Sequence, residues 1–149
     1  MVDGNFVFVM PPPPSVLLIA ESANPEWSSV PLVGWSMSTA IAKLVNAHIV
    51  TQVRNRGAFL RAGLREGIDF TAIDTEKIER PFWRLAVWLR GGSGLGWTIQ
   101  TALSSVSYRY FEYLVWEQFR GRIQAGEFGL VHRITPLTPT APSSLAKRC

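Results

Sequence analysis

The chain alternates short apolar runs with segments in which apolar residues recur at helical spacing. The runs lie at residues 16–20, 48–53, 68–73 and 129–134. Continuous apolar runs of this length are typical of strands that a parallel sheet buries on both faces. Helices are predicted from residue 31 to about residue 46 and over 58–64. The order β-α-β-α-β predicts an α/β fold with a Rossmann-like, doubly wound parallel sheet.

The 54 positions from residue 75 to residue 128 are more than one crossover needs. The pattern there predicts an amphipathic helix over 81–90, a glycine-rich break over 91–96 and a long helix over 97–122. The apolar face of the long helix is expected to comprise Ile99, Leu103, Val106, Tyr110, Tyr113 and Leu114. The corresponding stripe of the first helix is Val33, Met37, Ala40, Ile41 and Leu44.

The ends of the chain carry the signals for domain limits and location. Residues 1–15 are predicted to be a proline-rich tail outside the fold, and residues 16–149 to form one domain. The tail has neither the basic region nor the small-residue cleavage site of a secretory signal. The single cysteine, Cys149, excludes a disulfide within the chain. These features favour a reducing compartment, and we expect the cytoplasm.

The net charge of +4 is distributed unevenly. Residues 75–149 carry ten Lys or Arg against five Asp or Glu, together with many of the aromatic residues. A basic aromatic surface can face nucleic acid, anionic lipid or a phosphorylated ligand. Alternatively, the arginine stems cover apolar surface on a helix. We expect no nucleic acid partner, and residues 80–122 are the candidate for peripheral membrane contact.

Two groups of candidate site residues follow the first two strands. Gly34 and Trp35 lie near the start of the first helix, where free backbone N–H groups suit a diphosphate. Alternatively, both residues only pack that helix on the sheet, and no glycine-rich dinucleotide or Walker pattern is present. Arg54 and Asn55 follow the second strand, where an arginine fork can hold a phosphate or a sugar hydroxyl. The alternative for Arg54 is a solvated turn.

The third group lies at the last strand. His132 and Arg133 are neighbours there, so alternation directs them to opposite faces. His132 can position a hydroxyl or transfer a proton, or else it is a hydrogen-bonded core residue. Thr135 offers a loop hydroxyl, and Ser143 or Ser144 is expected to cap a following helix. Two isolated histidines and one cysteine do not form a metal site, and no cofactor is expected.

Four segments, taken in order and spacing, resemble a known family. They are PLVGWS at 31–36, HIVTQVRNR at 48–56, IDFTAID at 68–74 and GEFGLVHRITPLTPTAPS at 126–143. They are similar to the amino-terminal domain of family 4 glycosyltransferases, which have two Rossmann-like domains in the GT-B fold. The resemblance covers residues 16–149. It implies that the chain is an incomplete amino-terminal, acceptor-side domain of such an enzyme.

The resemblance implies sugar transfer from a nucleotide-sugar donor to a sugar or lipid acceptor, usually without a metal and with retention at the anomeric carbon. The loop around Gly34 and Trp35 would face the donor diphosphate, while a second domain, not found in these 149 residues, would bind the nucleotide. The fragment alone is therefore expected to be inactive. Many relatives carry H-x-H where this chain has His132 and Ile134. The alternative function is a membrane-binding or partner-binding module on an α/β scaffold.

Overall fold

The computed structural model describes residues 15–76, 97–134 and 143–145, with the backbone alone described over 97–105. The predicted tail, the helix over 81–90, the glycine-rich break and Thr135 fall outside these residues, apart from Ser15 of the tail. In chain order the elements are β1 (Ser15–Ile19), α1 (Val30–Ala42), β2 (Ala47–Gln52), a 3-10 turn (Val53–Asn55), α2 (Arg56–Arg61), β3 (Phe70–Ile73), α3 (Trp97–Gln124) and β4 (Phe128–Arg133).

The four strands form one sheet in the order β3-β2-β1-β4, and every neighbouring pair is parallel. The chain therefore moves outward from β1 through β2 to β3, then crosses back to place β4 on the other side of β1. This is the Rossmann-like, doubly wound arrangement, so the predicted α/β class is confirmed.

The two faces of the sheet carry different helices because alternate strand residues point in opposite directions. Leu17 and Ile19 of β1 pack with α3. Val16 and Leu18 pack on the other side, in the core cluster that includes Phe59 of α2 and the partly buried Trp35 of α1. We call these the α3 face and the α1 face. The continuous apolar run of β1 is explained by burial on both.

The predicted stripe of α1 is wrong in most of its members. Val33 is 49% exposed, Met37 45% and Leu44 84%. The helix instead buries Gly34 and Ser38, with Trp35 and Ile41 partly buried beside them, so Ile41 is the member of the predicted stripe that contacts the core. Periodicity alone could not distinguish two neighbouring faces of the same helix.

Helix α3 extends over the predicted range and two residues beyond it. Its buried face comprises Tyr108, Phe111, Val115 and Phe119, with Glu112 among them. The predicted face is wrong at Val106 and Tyr113, which are 56% and 49% exposed. Gly126, with φ at 74°, makes the turn from α3 toward β4, a conformation that glycine adopts without steric cost.

Candidate functional site

The strand order places a topological switch point between β1 and β4. The helix that follows β1 packs on the α1 face and the helix that precedes β4 packs on the α3 face, so the chain reverses its direction of winding between these two neighbouring strands. Ile19 of β1 pairs with Arg133 of β4. The backbone N–H of Ile134 extends this pairing by donating to the carbonyl of Ile19 at 2.8 Å. Ligands of open α/β sheets bind at such an edge.

A buried polar cluster holds the carboxyl ends of β1 and β2 together. The Nε2 of Gln52 donates to Glu21 Oε1 at 2.7 Å. The Nδ2 of Asn55 donates to the Glu21 carbonyl at 3.0 Å and to Thr51 Oγ1 at 2.9 Å. The Oδ1 of Asn55 accepts from Asn24 Nδ2 at 3.2 Å. We call these five residues the β1–β2 polar cluster.

All five members of this cluster are buried, and each side chain makes at least one hydrogen bond to the side chain of another member. Buried polar groups need such partners because an unpaired donor or acceptor loses its hydration without replacement. The loop after β1 is further fixed by the Asn24 N–H, which donates to the Pro31 carbonyl at 2.8 Å. The cluster thus gives the switch-point loop one defined conformation.

The loop reaches α1 through a strained residue. Ser29, the residue before α1, has φ at 64° and ψ at −135°, and its side chain makes no capping hydrogen bond. It is the one non-glycine residue of the described ranges with positive φ. Strain of this kind costs about 1–3 kcal/mol and often accompanies ligand sites, although it does not by itself identify one.

Gly34 and Trp35 lie inside the fold rather than at the open edge. Gly34 is buried and its carbonyl accepts from Ser38 Oγ at 2.7 Å. Trp35 is half-buried, with its ring centroid 4.8 Å from that of Phe59 in an edge-on contact. The packing alternative therefore describes their present contacts, and their predicted role toward a diphosphate stays a prediction.

Arg54 and Asn55 are neighbours in sequence with different environments. Arg54 is exposed, and its guanidinium carbon lies 6.0 Å from the ring centroid of Trp27. Asn55 is fully buried in the β1–β2 polar cluster. Of the two, Arg54 is therefore positioned to meet a ligand directly, whereas Asn55 positions the loop.

The structure places His132 and Arg133 on opposite faces of β4, as alternation predicted. His132 is exposed and shares the α1 face with Leu130. Its imidazole makes no hydrogen bond to any other residue that the structure describes, while its backbone belongs to the β1–β4 ladder. Arg133 points to the α3 face, where its Nη1 lies 3.6 Å from Glu112 Oε1 and its guanidinium carbon 5.2 Å from the ring centroid of Tyr108.

Glu112 is the polar residue that sequence reasoning missed. Its carboxylate is buried on α3 and accepts from Ser143 Oγ at 2.7 Å and from the backbone N–H and the Oγ of Ser144 at 2.8 Å each. The two serines were expected to cap a helix, and here they bind α3. The available signal was a single carboxylate within the aromatic stretch YRYFEYLVW.

The Glu112 surroundings also affect Tyr108. Burial, with a smaller contribution from the Glu112 carboxylate, raises the pKa of the Tyr108 hydroxyl far above its usual range. Tyr108 is therefore a neutral phenol at any physiological pH. Its hydroxyl has no hydrogen-bond partner within the described part of the chain.

The predicted site residues do not converge on one point. Arg54 lies beyond the carboxyl end of β2, His132 on the α1 face of β4, and Arg133 on the α3 face. Over residues 15–76, 97–134 and 143–145, no three His, Cys, Asp or Glu side chains are grouped as a metal site. Within these same ranges, no helix combines the length and the apolar character that crossing a bilayer requires.

Comparisons of the chain with models of protein families, with curated proteins and with solved structures found no match.

Proposed function

We propose that this chain forms the acceptor-side domain of a glycosyltransferase that uses a nucleotide-sugar donor and a sugar or lipid acceptor. The observation that carries the proposal is where the four resembling segments lie. They cover the first turns of α1, β2 with its 3-10 turn, β3 and β4, and the three strands belong to one sheet. Similarity distributed over one sheet in the order of the chain favours a shared domain over a chance motif.

The carboxyl edge supplies the chemistry that such a domain needs. Arg54 offers a guanidinium at the rim, and fork geometry suits phosphate oxygens and sugar hydroxyls. His132 offers an accessible imidazole on β4. The β1–β2 polar cluster keeps the intervening loop in place. In this proposal His132 positions an acceptor hydroxyl and Arg54 contacts the ligand. Arg133 instead forms its ion pair with Glu112 on the α3 face.

Ligand titration followed by NMR tests the proposal. The full chain is titrated with a panel of monosaccharides and with uridine and guanosine diphosphate sugars. We expect shifts at the carboxyl edge, and Arg54→Ala should weaken binding about tenfold, the loss of one charged hydrogen bond. Arg120→Ala is the matched control because that exposed arginine lies on α3 and pairs with Glu117 at 3.5 Å. Binding of flavin or dinucleotide but of no sugar would instead indicate another doubly wound enzyme.

Turnover is tested separately. We expect no transfer of sugar from any nucleotide sugar by residues 1–149 alone, because donor binding belongs to the second domain of the resembling family. Transfer by the purified chain would refute this part of the proposal.

The alternative function, membrane or partner binding through residues 80–122, stays a prediction. Of its aromatic residues, Tyr108, Phe111 and Phe119 are buried against the sheet and so are not available to a surface. Residues 80–96 and the side chains of 97–105 lie outside the described part. Co-sedimentation with anionic vesicles, lost in Arg84→Glu with Arg90→Glu, is the observation that would favour it.

A further inference from the structure

Among the described residues, no strand pairs with the outer edge of β4. Within the described residues β4 pairs only with β1, so its other side presents backbone N–H and C=O groups without a neighbouring strand. Exposed edges of this kind recruit further strands unless charge, proline or a covering element prevents it. The central residues Gly129, Leu130 and Val131 carry no charge, and Leu130 is 52% exposed on the α1 face.

A pocket of about 300 Å³ adjoins the same edge on the α3 face. Its lining includes the apolar side chains of Ile19, Val131 and Leu145, with Glu112 and Arg133 at its polar end. An added strand would place alternate side chains on the two faces. One set would enter this pocket and the other would cover Leu130.

The chain itself contains a segment of the required chemistry. Residues 5–10 read NFVFVM, which is uncharged and rich in residues that favour strands. Residues 11–14 are four prolines directly before Ser15, and Ser15 pairs with Phe128 at the beginning of β4. The segment is therefore tethered beside the amino end of the open edge.

The tether has the length for this connection. Four residues of polyproline span about 12 Å. The outer edge of β4 lies two strand spacings from β1, about 10 Å. Because the chain must turn back to enter β1 at its amino end, residues 5–10 would run antiparallel to β4. An antiparallel edge strand on an otherwise parallel sheet is common.

We propose that residues 5–10 dock on the open edge of β4 as an antiparallel fifth strand. This proposal is independent of the proposed function and differs from the expectation of a tail outside the fold. A second copy of the chain or a separate partner could use the same edge, and these occupants are distinguished below.

Amide hydrogen exchange of the full chain tests it. In an antiparallel pair only alternate residues of the edge strand donate to their neighbour, so Val7→Pro with Phe8→Pro removes one such donor in either register. We expect the outward amides of β4 to exchange at least tenfold faster in this variant, while β2 amides stay unchanged. Asp3→Pro with Gly4→Pro, placed before the segment, is the matched control. Equal β4 exchange in the variant and the wild type overturns the proposal.

Two further measurements identify what occupies the outer edge of β4. A spin label at Phe8→Cys, in a Cys149→Ser background, should broaden β4 resonances and spare β3, which lies at the opposite edge. Broadening of neither strand overturns the proposal even if the proline variant does not fold. Wild-type β4 protection that disappears on dilution, with a dimer by light scattering, also overturns it because a second copy is then the occupant.

Discussion

The imidazole of His48 on β2 is hydrogen-bonded to the backbone carbonyl of Ile68, which precedes β3 and lies 2.9 Å from its Nδ1. Because a carbonyl only accepts, Nδ1 carries the proton. The Nε2 then accepts from the Thr71 hydroxyl at 2.8 Å. Burial lowers the pKa of His48, and the Ile68 carbonyl opposes that effect only in part. The buried imidazole is therefore held in its neutral form.

The first prediction is that stability falls as the pH drops below about 6.5, the pKa of histidine in an unfolded chain. The unfolded chain takes up the proton first, since the folded pKa is lower. The contribution of His48 to the free energy of unfolding is fully present above the unfolded pKa. As the pH falls from there to the folded pKa of His48, this contribution is lost, with a slope of at most about 1.4 kcal/mol per pH unit. Urea unfolding at pH 7.5, 6.5 and 5.5 measures it. His48→Gln should flatten the slope, and His132→Gln, at an exposed position, should retain it. An unchanged slope in His48→Gln would contradict the prediction.

The second prediction concerns Glu112. Glu112→Ala removes the acceptor of three hydrogen bonds and leaves Arg133, whose side chain is 22% exposed, without this carboxylate. We expect a loss of about 3 kcal/mol in the free energy of unfolding, because a buried charge partner is removed. Glu112→Gln, which keeps the shape and one acceptor, should lose less. The urea midpoint measures both variants.

Glu117→Gln is the control for Glu112 because it lies on the same helix and pairs with Arg120 at the surface. An exposed pair contributes at most about 1 kcal/mol. The prediction fails if Glu112→Ala is no more destabilising than this control.

The sheet was predictable and the helix faces were not. Continuous apolar runs such as VLLI in β1 identify strands buried on both faces, because no helical or alternating pattern competes with them. In α1, apolar residues occupy two adjoining faces, and the sheet selected the face with Gly34 and Ser38. That selection depends on how closely the helix can approach the strands, and the periodicity of the sequence gives no information about this distance.

Some residues of the candidate site were likewise predictable from the sequence, and others were not. The position of Arg54 at a strand end and the opposite directions of His132 and Arg133 follow from topology and alternation. The burial of Asn55 and the role of Glu112 do not, because each depends on contacts with residues about 31 to 34 positions away in sequence. Long-range partners of this kind are not encoded in local pattern.

The third prediction tests the strain at Ser29. Glycine adopts the observed φ of 64° without the clash that a Cβ causes. Ser29→Gly should raise stability by about 1 kcal/mol, the relief of strain less the added entropy of glycine in the unfolded chain. Ser36→Gly, an exposed position within α1, should lower it by about 0.5 kcal/mol. Thermal unfolding measures the change in stability of each variant relative to the wild type. Changes of the same sign in both variants would contradict the assigned strain at Ser29.

The fourth prediction concerns Asn55, whose amide donates twice and accepts once within the β1–β2 polar cluster. Asn55→Ala should cost about 2–3 kcal/mol, since buried groups on Glu21, Thr51 and Asn24 lose a partner. Asn55→Asp keeps the shape, but an ionised carboxylate cannot donate to the Glu21 carbonyl and would be buried against that carbonyl oxygen. It should therefore cost at least as much at pH 7.5.

The aspartate variant should recover part of its stability at pH 5.5, because burial raises the pKa of a carboxyl and protonation restores one donor. Each urea midpoint is compared with the wild type at the same pH, which removes the contribution of His48. Asn46→Asp is the control, since Asn46 is exposed and donates to Ser15 Oγ at 2.9 Å. Surface changes of this kind stay within about 0.5 kcal/mol. A cost for Asn55→Asp as small as that of the control would show that the cluster does not hold the switch-point loop.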